Sequence, residues 1–128
     1  MSPWRWIDRR ALLLLHDESL AEHGGFPGLR DEGLFESAMA RPLNLAAYGN
    51  PDVAQLAAAY AIGLAKNHPF VDGNKRVAFL SIGLFLALQG WRLIATQADA
   101  TLTMLGVAAG SVDEEALAQW IRDHMAKR

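Results

Sequence analysis

The stretch His68-Pro69-Phe70-Val71-Asp72-Gly73-Asn74-Lys75-Arg76 concentrates the side chains with most capacity for chemistry in this chain. Imidazole is the side chain whose ordinary pKa, ~6.5, lets it accept a proton near neutrality. Taking a proton from a hydroxyl is what phosphoryl or nucleotidyl transfer asks of a general base, and His68 is the candidate. Asp72 offers a hard carboxylate oxygen of the kind Mg²⁺ takes when it is shared with substrate phosphates. Gly73 and Asn74 sit where a helix should begin, and the free N–H groups and positive dipole end of a helix start attract anions. Gly73 lets the backbone approach a phosphate closely, while Lys75 and Arg76 add two cations.

Each residue taken alone has a plainer explanation. His68 lies one helical turn past Leu64 on an apolar stripe, which reads as a packed core histidine. Asp72 reads as a helix cap, and Lys75 with Arg76 as a solvated first turn. Phe70 is a core anchor on either view. The combination favours chemistry, because a base, a metal ligand and a phosphate cradle converge on one helix start.

The elements that must position this motif are helical. Asp8 can cap a first helix running to about Glu22, which Gly24 and Gly25 stop. Asp31 can cap a second, expected to end near Ala40, because a residue before proline is pushed out of helical geometry and Pro42 follows. Residues 41–52 read as irregular, with Pro42, Gly49, Asn50 and Pro51 as breakers. Val53, Leu56, Ala57, Tyr60, Ala61 and Leu64 repeat at helical spacing and predict a third helix to about Asn67. A fourth runs from Gly73-Asn74 to Gly90; its apolar span Val77 to Leu88 predicts burial on all sides at the centre of the domain. Trp91 to Ala95 reads as a short extended piece. A fifth helix is expected from about Asp99 to Ala109. A sixth is expected to start in a capping box of Ser111 and Glu114 and to bury Leu117, Trp120, Ile121 and Met125. The expectation is an all-α single domain over residues 1–128, with about six helices, a buried central helix and a short irregular flap.

Composition narrows the class of protein. At 128 residues and 52% hydrophobic, the chain can bury a proper core. A formal net charge of −2 gives no global reason to expect direct nucleic-acid or membrane binding. The absence of cysteine rules out disulfides and thiolate chemistry and suits a cytoplasmic protein. The run Leu12 to Leu15 is too short for a signal-peptide core, and Val77 to Leu88 falls short of the ~20 residues that span a bilayer.

His-Pro-Phe-x-Asp-Gly-Asn followed by a basic pair resembles the signature of the Fic/Doc family, and its Lys75-Arg76 form resembles the Doc, or death-on-curing, branch. Leu15-His16-Asp17, Gly24 to Gly28, Ser37 to Pro42 and the segment from Asp99 to Ala109 also look like Doc-type toxins. The resemblance implies an all-helical fold, a histidine base acting on a protein hydroxyl, a Mg²⁺-bound nucleotide such as ATP, and a partly disordered cognate antitoxin. It assigns His68 as base, Asp72 as magnesium ligand, Gly73 and Asn74 as the phosphate-contacting loop, and Lys75 and Arg76 to phosphate charge. It implies that residues 41–52 are the flap that grips a target by strand-like pairing. Adenylyl-transferring relatives have glycine where Lys75 stands and a second arginine where Phe79 stands. The Doc form goes instead with transfer of the γ-phosphate to elongation factor Tu, so the resemblance favours a kinase over an adenylyl transferase. Leu80, where some members have Asn, departs from that form.

Two further readings compete. His68 and Asp72, with His16-Asp17, could serve a metal-dependent phosphohydrolase, although such a site needs three or four protein ligands. A binding module that has lost its chemistry is the other, against which an intact base and metal ligand speak. His16, His23 and His124 are expected to be structural or solvated.

Overall fold

The computed structural model describes residues 3–128. The chain runs α1 (Arg9–His23), α2 (Glu32–Tyr48), α3 (Val53–Asn67), α4 (Asn74–Leu88), β1 (Trp91–Leu93), α5 (Gln97–Ala109), α6 (Glu114–Asp123) and β2 (Met125–Lys127). Asp8, Asp31, Asp52, Thr96 and Asp113 each accept a bond from a backbone N–H in the first turn of the helix that follows, satisfying one of its orphan donors. Asp52 and Gln55 form a reciprocal capping box at the start of α3. The sixth helix was expected to use Ser111 as its cap, but Asp113 has that role. The N–H groups of Ser111 and Val112 turn back to the Gly106 carbonyl, at 2.9 and 3.1 Å, and close the end of α5.

The enclosed helix is α3, not α4 as the apolar run had predicted. Every residue from Leu56 to Ala65 is buried, and α2, α4 and α6 pack around it. The alanines of α3, with Gly63, give it the small girth that allows close approach on several sides at once. A Cβ on Gly63 would lie 3.1 Å from the Cα of Ala38, so α2 and α3 cross there nearly backbone to backbone. α4 buries Val77, Ala78, Ile82, Phe85 and Leu86 but leaves Phe79, Leu80 and Leu84 half-exposed. Its apolar residues therefore exceed what the core takes up.

The second helix also departs from expectation. It continues through Pro42 to Tyr48, so most of the segment read as an irregular flap is helical and only residues 49–52 lie between helices. The ring removes one helical hydrogen bond and crowds the preceding turn. Tertiary contacts offset this: Pro42 is itself buried, Leu45 and Ala46 pack against the core, and Arg41 pairs with Glu114 of α6.

Two short elements depend on remote partners. β1 pairs antiparallel with β2, Trp91 opposite Lys127 and Leu93 opposite Met125, so Met125 belongs to a strand and not to the last helix. The Ile94 N–H donates to the His124 carbonyl at 2.7 Å and extends the pairing beyond the strands. At the other end of the chain, Trp6 stacks on Phe85 and the Ile7 N–H donates to the Tyr60 hydroxyl oxygen at 3.1 Å. Burial pushes the Tyr60 pKa up despite that bond, which keeps the phenol neutral and fit to anchor the N-terminal segment. Among the described residues no helix is long and apolar enough to cross a membrane.

Candidate active site

α3 ends at Asn67, and His68 takes a left-handed conformation with φ 49° and ψ 55°. It is the one non-glycine residue with positive φ among those described. That geometry costs roughly 1–2 kcal/mol for an L-residue, and the proline that follows biases His68 toward extended backbone instead. The consequence is directional. A continued helix would have laid His68 on the buried Leu64 face, whereas the left-handed turn leaves its side chain exposed. The core-histidine explanation does not hold.

The rest of the motif wraps around Phe70. This ring is 1% exposed, stacks on His16 with centroids 3.7 Å apart, and meets the edge of Phe35 at 5.6 Å. The Asn74 side chain accepts from the Phe70 N–H at 2.9 Å and donates to the Phe70 carbonyl at 3.0 Å, closing the loop on itself. Those bonds use the Asn74 amide, so its contribution to an incoming phosphate is limited to its backbone N–H. Asn74 Nδ2 also lies 3.5 Å from His68 Nδ1, too long to act as a strong orienting bond but close enough to place the imidazole beside the first turn of α4.

Asp72 does not cap α4. The cap residue is Gly73, at φ 77°, and among the described residues no side chain caps the helix start. The N–H groups of Asn74, Lys75 and Arg76 precede the first intrahelical bond, from Val77 N–H to the Gly73 carbonyl at 3.0 Å. They are thus available to an anion. Lys75 and Arg76 are exposed on this turn and form no ion pair among the described residues. Among the described residues the five other helix starts carry side-chain caps, and the one left open is flanked by two cations and an exposed imidazole.

The exposed carboxylate of Asp72 accepts from the Phe26 N–H through Oδ2, at 3.2 Å. Oδ1 remains for another partner. Among the described residues no group of three or more His, Asp or Glu side chains comes together. That leaves unassembled the ligand set a metallo-phosphohydrolase needs, whereas it suits Mg²⁺ held by one carboxylate and shared with phosphate oxygens.

Contributions from distant parts of the sequence support this geometry. His16 is 2% exposed and its Nε2–H donates to the Asp72 carbonyl at 2.8 Å, so this histidine is structural but structural to the site. Gly25, at φ 126°, brings the 24–28 loop against Asp72; a Cβ there would come within 2.9 Å of Leu20 and 3.3 Å of the carboxylate. Leu29 bridges Phe70, and the Val71 N–H donates to the Gly28 carbonyl at 3.0 Å. Neither contact has a signature in local spacing. The one sequence signal for them was that His16-Asp17 and Gly24 to Gly28 belong to the resemblance. His23 is exposed beside Glu22, and His124 bridges Asp99 and the Trp120 carbonyl far along the chain.

A groove of about 570 Å³ adjoins the site between α1, α4 and α5. Leu15, Ser19, Phe79, Leu80 and Met104 line it, and Lys75 and Arg76 form its edge. His68 and Asp72 are not part of it, so the groove flanks the reacting face. The half-exposed side of α4 is its wall.

Residues 6–86, which include the open helix start, its basic pair, the exposed histidine and the carboxylate, fit the Fic/DOC family, and the chain belongs to it. Among similar proteins is "Protein kinase doc" of Escherichia phage P1, 34% identical over 92% of this chain and 94% of that protein. "Toxin Doc" of Mycolicibacterium smegmatis is 43% identical over 56% of this chain and 57% of its own length. Both relatives carry the Doc name, one as a protein kinase and the other as a toxin.

Proposed function

We propose that this chain is the toxin of a toxin–antitoxin pair, which transfers the γ-phosphate of a magnesium-bound nucleoside triphosphate, ATP in the simplest case, to a hydroxyl side chain of a translation factor of the elongation factor Tu kind. The observation that carries this reading is the open start of α4, where N–H groups, Lys75 and Arg76 sit beside the exposed His68 and Asp72. His68 takes the proton of the target hydroxyl as its oxygen bonds to the γ-phosphorus. The bond from the γ-phosphorus to the β-bridging oxygen breaks, and a nucleoside diphosphate leaves. Magnesium on Asp72 would supply charge neutralisation for the phosphates. The α4 N–H groups, Lys75 and Arg76 offset the charge carried by the phosphoryl oxygens. A translation-factor target goes with a cytoplasmic location.

Transfer of the γ-phosphate is preferred to adenylyl transfer because of what stands at 75 and 79. Lys75 sets a cation at the groove edge by the helix start, where adenylyl-transferring relatives have glycine, and Phe79 presents an aromatic wall to the groove where an arginine could hold a leaving pyrophosphate. Mass spectrometry of the modified target decides between them, since a phosphoryl group adds about 80 Da and an adenylyl group about 329 Da. The smaller adduct is expected, and an adenylyl adduct on the physiological target overturns the assignment. In the double variant Lys75→Gly with Phe79→Arg, a trace of the larger adduct should appear.

The cognate antitoxin is proposed to lay an amphipathic, partly disordered segment into the groove beside α4, whose apolar lining the core leaves unused. Leu80→Asp should weaken that complex by at least about 2 kcal/mol in a calorimetric titration, as expected for an anchor position. Wild-type affinity in this variant would move the antitoxin to another surface.

A further inference from the structure

One residue outside the motif holds its turn from both the backbone and the side chain. The N–H of Arg30 donates to the Pro69 carbonyl at 2.7 Å. Its guanidinium donates from Nε to the His68 carbonyl at 2.8 Å and from Nη2 to the Asn67 carbonyl at 3.0 Å. Three consecutive carbonyls, those of residues 67, 68 and 69, thus accept from a single residue. They belong to the one non-glycine left-handed turn among the described residues.

We infer that Arg30 is a positioning residue for His68, holding its backbone in the left-handed conformation and so aiming the imidazole at the start of α4. The physical case is that His68 has two reasons to leave this geometry: its own Cβ, and the proline after it. A planar guanidinium presents donors in a fixed fork and can bind both carbonyls only while they keep one relative orientation. That orientation is the left-handed one. Relaxed toward extended backbone, His68 would carry its ring away from the first turn of α4, where Asn74 Nδ2 now lies 3.5 Å from Nδ1. A cation at a helix C-terminus also stabilises the helix in general, and that simpler role predicts a change in stability with no particular effect on turnover.

The inference rests on His68 acting as the base, and the test separates the two claims. Arg30→Met keeps the backbone bond to Pro69 and removes the fork, while Arg30→Lys keeps the charge but offers a single ammonium. Turnover of the Met variant should fall on the order of 10²-fold, the loss typical of a reacting group misplaced by about an ångström, with the KM for nucleotide unchanged. The Lys variant should recover only part of that loss. In parallel, backbone couplings and carbon shifts of His68 measured by NMR should show its φ turning negative in the Met variant. A positive φ retained at His68 overturns the inference whether or not the protein transfers phosphate. Turnover within twofold of wild type in the Met variant overturns it as well, and so does an equal loss through KM. If the Met variant does not fold, the Lys variant alone decides, by the same coupling and the same division between kcat and KM. Should the wild type transfer nothing, the proposed reaction falls, and the NMR result still settles what Arg30 does.

Discussion

Phosphate transfer by the His68→Asn variant is expected to fall by about 10²- to 10⁴-fold, the usual contribution of a general base, with nucleotide binding and fold retained. Asparagine is the sharper substitution than alanine because it tolerates the left-handed backbone that His68 adopts, at φ 49°. It removes the proton acceptor without asking the turn to change. The side chain is exposed and anchors no core contact, so the unfolding free energy should stay within about 0.5 kcal/mol of wild type. Transfer of γ-label to target and a urea titration measure the two quantities. Full transfer by the variant removes His68 from the mechanism; lost transfer with a collapsed urea midpoint returns it to a structural role.

Asp72→Asn should reduce Mg²⁺-dependent nucleotide binding and transfer by on the order of 10²-fold or more, because in the proposed reaction Asp72 would hold the metal that supplies several kcal/mol of charge stabilisation. The substitution is nearly isosteric. Its amide oxygen can still accept from the Phe26 N–H, as Oδ2 does now at 3.2 Å, so the 24–28 loop should stay in place. The His16 bond goes to the Asp72 backbone carbonyl and does not depend on the side chain. What changes is the negative charge. Nucleotide titrations with Mg²⁺ and with chelator are the measurement: wild type should bind more tightly with the metal, and the variant should lose most of that difference. If chelation and substitution both leave binding as it was, the carboxylate serves only to hold Phe26.

Local sequence carried the helices wherever a cap and a regular apolar repeat coincided. Asp8 and Asp31 start their helices as expected, and Val53 to Leu64 form one helix, whose cap Asp52 had been read as the end of an irregular stretch. These features act over a turn or two, so neighbours in sequence suffice to specify them. The motif from His68 to Arg76 was legible for the same reason, since its chemistry-bearing residues are contiguous and its glycine and helix start are local signals.

Whatever required knowledge of a remote surface was not legible. Periodicity marked α4 as apolar all round, but only packing could reveal that small residues make α3 the enclosed helix and leave a face of α4 to a groove. Pro42 reads as a helix end until Leu45, Ala46 and the Arg41–Glu114 pair are seen to hold the helix beyond it. Ser111 was expected to cap the last helix, but it closes the helix before, and Asp113 takes the cap position. The candidate site divides along the same line. The sequence by itself determined which side chains could act as base, metal ligand and anion cradle. The tertiary structure decided where they point: the left-handed turn took His68 off the buried face, Asn74 went to the Phe70 backbone, and His16, Phe26 and Arg30 came from distant segments to hold the loop. Residue type specifies chemical capacity, while orientation follows from contacts between segments that chain order alone does not pair.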